Sequence, residues 1–196
     1  MKMLVRLMLV MALGLSLVSC ANEKGAATAA IKAATDSWVA VKDNAMKIMP
    51  TEAKAIDDAI AAAQGMLDGG DAKAAVAAAK AIPDQIKALS DGLAAKETEL
   101  KAAWEAYNSG MPAVVASIQE RVDILGKSKK LPAGLDQAAY DGAKATLADA
   151  TTMWNDAQTA FQSGNLADAV SKAESVKKSA VDVMNALKME VPAGMQ

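Results

Sequence analysis

Alanine accounts for 46 of the 196 residues, and larger apolar residues recur every three or four positions along most of the chain. Alanine is the strongest helix former, and this spacing places apolar side chains on one face of a helix. No segment alternates β-branched and polar residues as a half-buried strand does. The sequence therefore predicts an all-α protein whose small side chains let neighbouring helices approach closely.

The apolar stripes predict an elongated antiparallel bundle of five or six helices. Pro83 is expected to kink the third helix or restart it, because a proline in a helix interior costs about 3 kcal/mol. The expected breaks between helices lie at Pro50-Thr51, Asp68–Asp71, Asn108–Pro112, 126–134 and Gly164-Asn165.

Two segments indicate an internal duplication. Residues 58–82 align with residues 152–176, and Gly70 falls on Gly164 in the turn between two helices. Glycine is costly where the backbone does not need it, so a shared turn glycine is informative. The other identities are Ala63, Gln64, Ala75, Val76 and Ala79, which fall on Ala157, Gln158, Ala169, Val170 and Ala173. The bundle therefore has two candidate duplicated helical hairpins.

The second hairpin resembles the turn and second helix of a tetratricopeptide repeat. Phe161 precedes the Gly164-Asn165 turn, and Ala169 and Ala173 follow it at the spacing of that repeat. The chain departs from the family because it has no 34-residue period and its helices are longer. More widely, Pro50–Ile82 and Pro132–Val176 resemble alanine-rich helical domains of outer-membrane lipoproteins, a resemblance that implies no catalytic residues.

The amino-terminal residues have the pattern of a cleaved export signal. Lys2 and Arg6 precede an uncharged apolar run over residues 7–17. A membrane-spanning helix needs about 20 apolar residues, so this run has the length of a signal-peptide core. Leu17-Val18-Ser19-Cys20 then resembles the lipobox of bacterial lipoproteins. That resemblance implies cleavage before Cys20 and covalent lipid on its thiol, the only one in the chain.

These features predict four segments: a signal peptide over 1–19, a lipidated tether over 20–28, one helical domain over 29–190, and a flexible tail over 191–196. Ala21 follows the lipidated cysteine, where enteric-type lipoproteins retained at the inner membrane carry aspartate. The resemblance therefore implies an outer-membrane protein that faces the periplasm.

Composition narrows the function. The chain has no histidine, so no imidazole base, Ser-His-Asp triad or Cys-His zinc site can form. Without Lys2 and Arg6, the chain has 19 basic and 23 acidic residues, a formal charge of −4. A mildly acidic chain is a poor ligand for nucleic acid. We expect a protein that is not an enzyme and that holds no metal and no cofactor besides the lipid on Cys20.

Three tryptophans, Trp38, Trp104 and Trp154, fall within the apolar stripes. They are expected to anchor the core, with each indole N–H reaching a polar partner. The alternative is a shared aromatic pocket for a lipid, a glycan or a peptide.

Charged residues offer fewer candidates. Lys127, Lys129 and Lys130 form a small basic loop, which is either solvated or in contact with phosphate head groups. Lys96 interrupts an apolar stripe, where its stem is expected to lie along the helices with its charge in water. The acidic residues near the Asp68–Asp71 turn are expected to cap and solvate the helices.

The resulting prediction is a non-catalytic, lipid-anchored periplasmic protein that acts as a structural or spacer element of the cell envelope. The alternative is a tetratricopeptide-like adaptor that binds an envelope protein, a peptide or a lipid. The expected partners are the membrane, through the lipid anchor, and either an envelope protein or a second copy of the chain.

Overall fold

The computed structural model describes residues 23–195. The predicted signal peptide, the lipobox and Cys20 lie outside these residues.

Five α-helices and one short 3₁₀ turn make up the secondary structure of the described residues, which contain no strand. The all-α fold class is confirmed, with a helix number inside the predicted range. The helices are α1 (Glu23–Ile48), α2 (Pro50–Asp68), α3 (Ala72–Lys127), α4 (Gln137–Gln162) and α5 (Leu166–Ala186), and the 3₁₀ turn covers Ala193–Met195.

Helix α3 is a single helix of 56 residues. It runs through Pro83 without an end, and the predicted stop and restart at Asn108–Pro112 is wrong. The reason lies in its buried face. Trp104, Met111 and Ile118 are all buried and stand seven residues apart, so the apolar stripe stays in phase across Pro112. Packing along this stripe outweighs the hydrogen bond that the proline removes.

Helices α2 and α4 end with the same backbone motif. Gly70 and Gly164 have φ angles of +89° and +77°, which glycine adopts without strain. In both turns the residue after the glycine donates its N–H to the carbonyl four residues before the glycine, at 2.9 and 2.8 Å. This is the hydrogen bond of a Schellman motif. The two candidate hairpins thus share their turn, and the aligned alanines are buried in both: Ala63, Ala75 and Ala79 in the first, and Ala157, Ala169 and Ala173 in the second.

Helix α5 ends with the same motif but without glycine. Lys188 has a φ of +55°, the only positive φ of a non-glycine residue among residues 23–195. The N–H of Met189 donates to the carbonyl of Met184 at 2.8 Å. An L-residue in this conformation carries a steric cost that glycine avoids.

The described residues divide into two compact units. The first unit comprises residues 23–40 and 55–86, and the second comprises 41–54 and 87–195. The structure also describes residues on either side of the domain predicted over 29–190. Residues 23–28, assigned to the tether, are helical, and Ala27 is buried because it begins the apolar stripe of α1. Within the predicted tail, Met195 packs against the core of the second unit.

The two cores differ in composition. One cluster of the first unit combines small and medium side chains: Ala27, Ile31, Ala63, Leu67, Ala75 and Ala79. The second unit has a larger core that includes Trp104, Tyr140 and Trp154. Throughout residues 23–195, every buried residue is apolar or aromatic. None of the described helices contains a stretch long and apolar enough to cross a bilayer.

Candidate functional site

Trp38 belongs to the first unit and is almost completely buried. Its indole Nε1–H donates to Oδ1 of Asp57 at 2.7 Å. Asp57 lies on α2 and is partly buried, so the bond joins α1 to α2 inside this unit. A buried indole needs such a partner, because an unsatisfied donor costs about 1–3 kcal/mol. This geometry is that of a core anchor.

Trp104 and Trp154 meet in the second unit. Their ring centroids are 5.4 Å apart and their planes differ by 8°. Phe161 also stacks on Trp104, with centroids 4.7 Å apart and planes 11° from parallel. Trp154 and Phe161 stand seven residues apart on α4, which places them on one face towards α3. Near-parallel aromatic stacks at these distances stabilise a core beyond the area that they bury.

The structure therefore groups two of the three predicted pocket residues and leaves Trp38 in the other unit. Trp104 is 3% exposed and Trp154 is 7% exposed. Trp104 stacks on both Trp154 and Phe161.

A cleft of about 410 Å³ lies between the end of α3 and the beginning of α4, within the second unit. Lys127, the last residue of α3, lines it together with Lys144 of α4. Lys129 and Lys130 are exposed in the connection after α3. That connection covers residues 128–136, two residues later at each end than the predicted loop. Lys127, the first lysine of the predicted basic loop, thus lines the cleft.

Tyr140 and Gly126 form one side of this cleft. The phenol of Tyr140 is buried and donates its O–H to the carbonyl of Val122 at 3.0 Å. A Cβ on Gly126 would lie 2.8 Å from the same phenol oxygen, closer than real Cβ contacts. Gly126 therefore gives Tyr140 the space to reach α3, and the bond fixes α4 against α3 at this point.

Three carboxylates at or near the cleft accept hydrogen bonds from neutral groups. Gln119 Nε2 donates to Oδ1 of Asp123 at 2.8 Å. Gln137 Nε2 lies 3.1 Å from each carboxylate oxygen of Asp141. Asp136 accepts from the backbone N–H of Ala139 at 2.8 Å, as the N-cap of α4. Each of these acidic groups has a neutral partner.

Lys127 and Lys144 are among the surface lysines without a described ion pair, as are Lys129, Lys130 and Lys178. Five described ion pairs join a lysine to a carboxylate three or four residues away on the same helix: those of Lys32, Lys87, Lys96, Lys101 and Lys172. By contrast, no described carboxylate pairs with Lys127 or Lys144. Nζ of Lys144 lies 6.0 Å from the Tyr140 ring centroid, at the limit of a cation–π contact. The cleft therefore carries two cations without a partner of opposite charge.

The remaining charged candidates have structural roles. Lys96 pairs with Glu99 at 2.8 Å and is partly exposed, as expected of a snorkelling lysine. Asp68 accepts from Gln64 at 2.8 Å, and Asp71 accepts from the N–H of Ala74 at 2.9 Å at the start of α3. Residues 23–195 contain no group of three or more acidic or cysteine side chains placed to hold a metal ion.

Sequence reasoning did not identify Lys144 as a site residue. The signal available was the four-residue spacing from Tyr140 to Lys144, which places the ammonium above the ring on a helix surface. It also gave no role to Arg121, whose Nε is buried without a hydrogen-bond partner in the described part of the chain.

Comparison with protein-family models, with curated proteins and with solved structures finds no match to this chain.

Proposed function

We propose that the protein is a non-catalytic, lipid-anchored structural element of the bacterial cell envelope. Cys20 would carry the lipid, and the helices would lie on the periplasmic side of the outer membrane. The anchor rests on the lipobox resemblance of residues 17–20, and the structural role rests on the described helices.

The observation behind the structural role is the separation of apolar and charged side chains. The buried residues among 23–195 are apolar or aromatic, and ion pairs such as those of Lys32 with Asp36 and Lys101 with Glu97 lie along single helices. Pairs at this spacing stabilise an exposed helix by about 0.2–0.5 kcal/mol each. Charges so placed support the helices themselves, as expected of a scaffold.

The anchor is tested by the mass of the amino-terminal peptide from membranes of a Gram-negative host. The wild type is expected to begin at Cys20 with added acyl mass, and a density gradient is expected to place it with the outer membrane. The variant Ser19→Ala keeps a small residue before the cysteine and serves as the matched control, with the same acylated peptide. Cys20→Ser is expected to lose both the acyl mass and the cleavage. An unacylated Cys20 in the wild type would contradict the proposal.

The structural role is tested by complementation in a host whose own copy of the gene is deleted. Deletion is expected to raise the sensitivity of the envelope to detergent. A variant with Lys32 and Lys101 changed to glutamine should restore resistance, since it changes only exposed ion pairs. Trp104→Ala should not restore it, because it removes the centre of an aromatic stack. A surface variant that folds but fails to complement would indicate a specific contact instead.

One observation favours the adaptor as a second candidate. Among residues 23–195, four large apolar side chains are exposed, including Val39 at 66% and Ile124 at 52%. In-cell crosslinking followed by mass spectrometry separates the two functions. A heterologous partner in stoichiometric amount would support the adaptor, whereas recovery of the chain alone or of cell-wall fragments would support the structural element.

A further inference from the structure

We propose that the cleft between α3 and α4 is a second membrane contact, which binds the phosphate of anionic phospholipid head groups. This inference deepens the proposed function, because the lipid anchor would hold the chain at a bilayer surface. It assigns the contact to Lys127 and Lys144 at the cleft, to Ile124 three residues before Lys127 on α3, and to the exposed Lys129 and Lys130.

The charges at the cleft favour an anion. Lys127 and Lys144 both line it, and neither pairs with a described carboxylate. Asp123 also lines it, but its Oδ1 already accepts from Gln119. Glu120 is exposed on α3 and is not one of the lining residues. The lining therefore carries two ammonium groups and one carboxylate, a net charge of +1, and the two ammonium groups can bind a phosphate together.

The connection after α3 adds further positive charge next to the cleft and so strengthens its preference for an anion. Residues 124–135 contain three lysines and no acidic residue, in a chain of net negative charge. Clusters of lysine near a bilayer are attracted to anionic head groups, and the attraction is lost within a Debye length of the surface. Because these lysines lie in one loop and at the adjacent cleft, they are placed to contact a bilayer surface rather than to enclose a ligand.

Ile124 distinguishes a lipid surface from a free phosphate ion. Its side chain is 52% exposed, one helical turn before Lys127 and Ser128. Leu131, in the same loop, is half-buried. An exposed apolar side chain next to unpaired lysines is typical of helices and loops that enter the head-group region of a bilayer. A free phosphate ion would gain nothing from Ile124.

The cleft is also held in place before it binds anything. The bond from Tyr140 to the carbonyl of Val122 joins the two helices, and Gly126 leaves room for the phenol. The phenol hydrogen is committed to that carbonyl, so Tyr140 contributes an aromatic wall rather than a donor to the lipid. A fixed cleft loses little conformational entropy on binding.

The test measures the acetylation rate of individual lysines in the full-length lipidated protein anchored in vesicles. Vesicles of phosphatidylcholine are compared with vesicles that also contain phosphatidylglycerol, and a water-soluble acetylating reagent is read by mass spectrometry. Lys127 and Lys144 are expected to react at least about threefold more slowly in the anionic vesicles. Lys178, an exposed lysine of α5, is the internal control and is expected to react equally in both.

Three variants test whether the protection depends on the proposed contact residues. Lys127→Gln is expected to restore most of the reactivity of Lys144 in anionic vesicles, whereas the matched change Lys178→Gln is expected to leave the protection of Lys144 intact. Ile124→Ser is expected to reduce the protection. Circular dichroism confirms that each variant remains helical.

The outcomes separate the anchor from the cleft. A protein that fails to float with phosphatidylcholine vesicles refutes the anchor. A protein that floats but shows equal rates in both vesicle types refutes the cleft contact. Millimolar inorganic phosphate, added to phosphatidylcholine vesicles, forms the last arm. Protection there as strong as with phosphatidylglycerol would assign the cleft to a free anion and overturn the lipid assignment.

Discussion

Replacing Gly126 with alanine should have two opposite effects on stability. Alanine raises the helix propensity of this position, but its Cβ clashes with the Tyr140 side chain. Alanine in a helix interior is more favourable than glycine by about 1 kcal/mol. The gain should be smaller here, because Gly126 lies one residue before the end of α3. Against it, the new Cβ would stand 2.8 Å from the Tyr140 phenol oxygen.

The clash should outweigh the propensity. Displacing the phenol breaks its bond to the carbonyl of Val122 and leaves a buried hydroxyl unsatisfied, at a cost of about 1–3 kcal/mol. If the phenol instead stays in place, forcing the methyl group into the packed site costs about 1–3 kcal/mol. We therefore expect Gly126→Ala to lower the free energy of unfolding by about 1–3 kcal/mol, or about 2–4 °C of melting temperature per kcal/mol.

The matched control is Gly142→Ala on α4. A Cβ at Gly142 meets nothing within 4 Å, so this change should stabilise the protein. The expected gain is about 0.5–1 kcal/mol from helix propensity alone. Urea unfolding followed by circular dichroism measures both variants.

A double-mutant cycle tests the cause. In Gly126→Ala/Tyr140→Phe the hydroxyl is absent, and the next nearest atom, Cζ of residue 140, lies at 3.9 Å, an ordinary contact. The double variant should be at least as stable as Tyr140→Phe alone, with an interaction energy of about 2 kcal/mol. Additive losses from the two changes would refute the steric argument.

Three further changes have defined outcomes. Lys188→Gly should stabilise the protein by about 0.5–1 kcal/mol in thermal unfolding, because it relieves the positive φ; an equal gain from Lys188→Ala would show that the charge, not the backbone, is responsible. Trp104→Ala should cost about 3–5 kcal/mol in the same assay and remove the near-ultraviolet circular dichroism of the stacked rings; a loss below about 1 kcal/mol would contradict its central position. Trp38→Phe should cost about 1–3 kcal/mol, since Asp57 loses its indole donor; Asp57→Asn keeps an acceptor and should cost less.

The helical periodicity was sufficient to predict the buried face of α4. Tyr140, Leu147 and Trp154 stand seven residues apart in the sequence, and all three are buried. The prediction succeeded because a helix repeats every 3.6 residues, so one-dimensional spacing determines which side chains share a face.

The continuity of α3 was not predicted, because proline and glycine were treated as local signals. The helix passes Gly110 and Pro112, both of which are exposed. Met111 between them is buried, and its seven-residue spacing from Trp104 and Ile118 continues the stripe. Tertiary packing overrides local propensity where one buried face remains in phase.

The cleft could not be predicted from the sequence, because it forms where two helices pack together and spacing along the chain does not determine which helices are neighbours. Lys127 was identified from its basic loop, but its neighbour Lys144 lies on another helix. The clash that requires Gly126 depends on the Tyr140 phenol, 14 positions away in the sequence. Only the packing of α3 against α4 brings these groups together.

The placement of the tryptophans gives each unit its own optical signal. Trp38 is the only tryptophan of the first unit, and its hydrogen bond to Asp57 should shift its emission on unfolding. Trp104 and Trp154 are near-parallel at 5.4 Å, so their electronic transitions couple and give a distinct dichroic band. With Trp38→Phe, fluorescence follows only the second unit, and with Trp104 and Trp154 changed to phenylalanine it follows only the first. The chain thus contains a native spectroscopic reporter for each unit, and no added dye is needed to follow their unfolding separately.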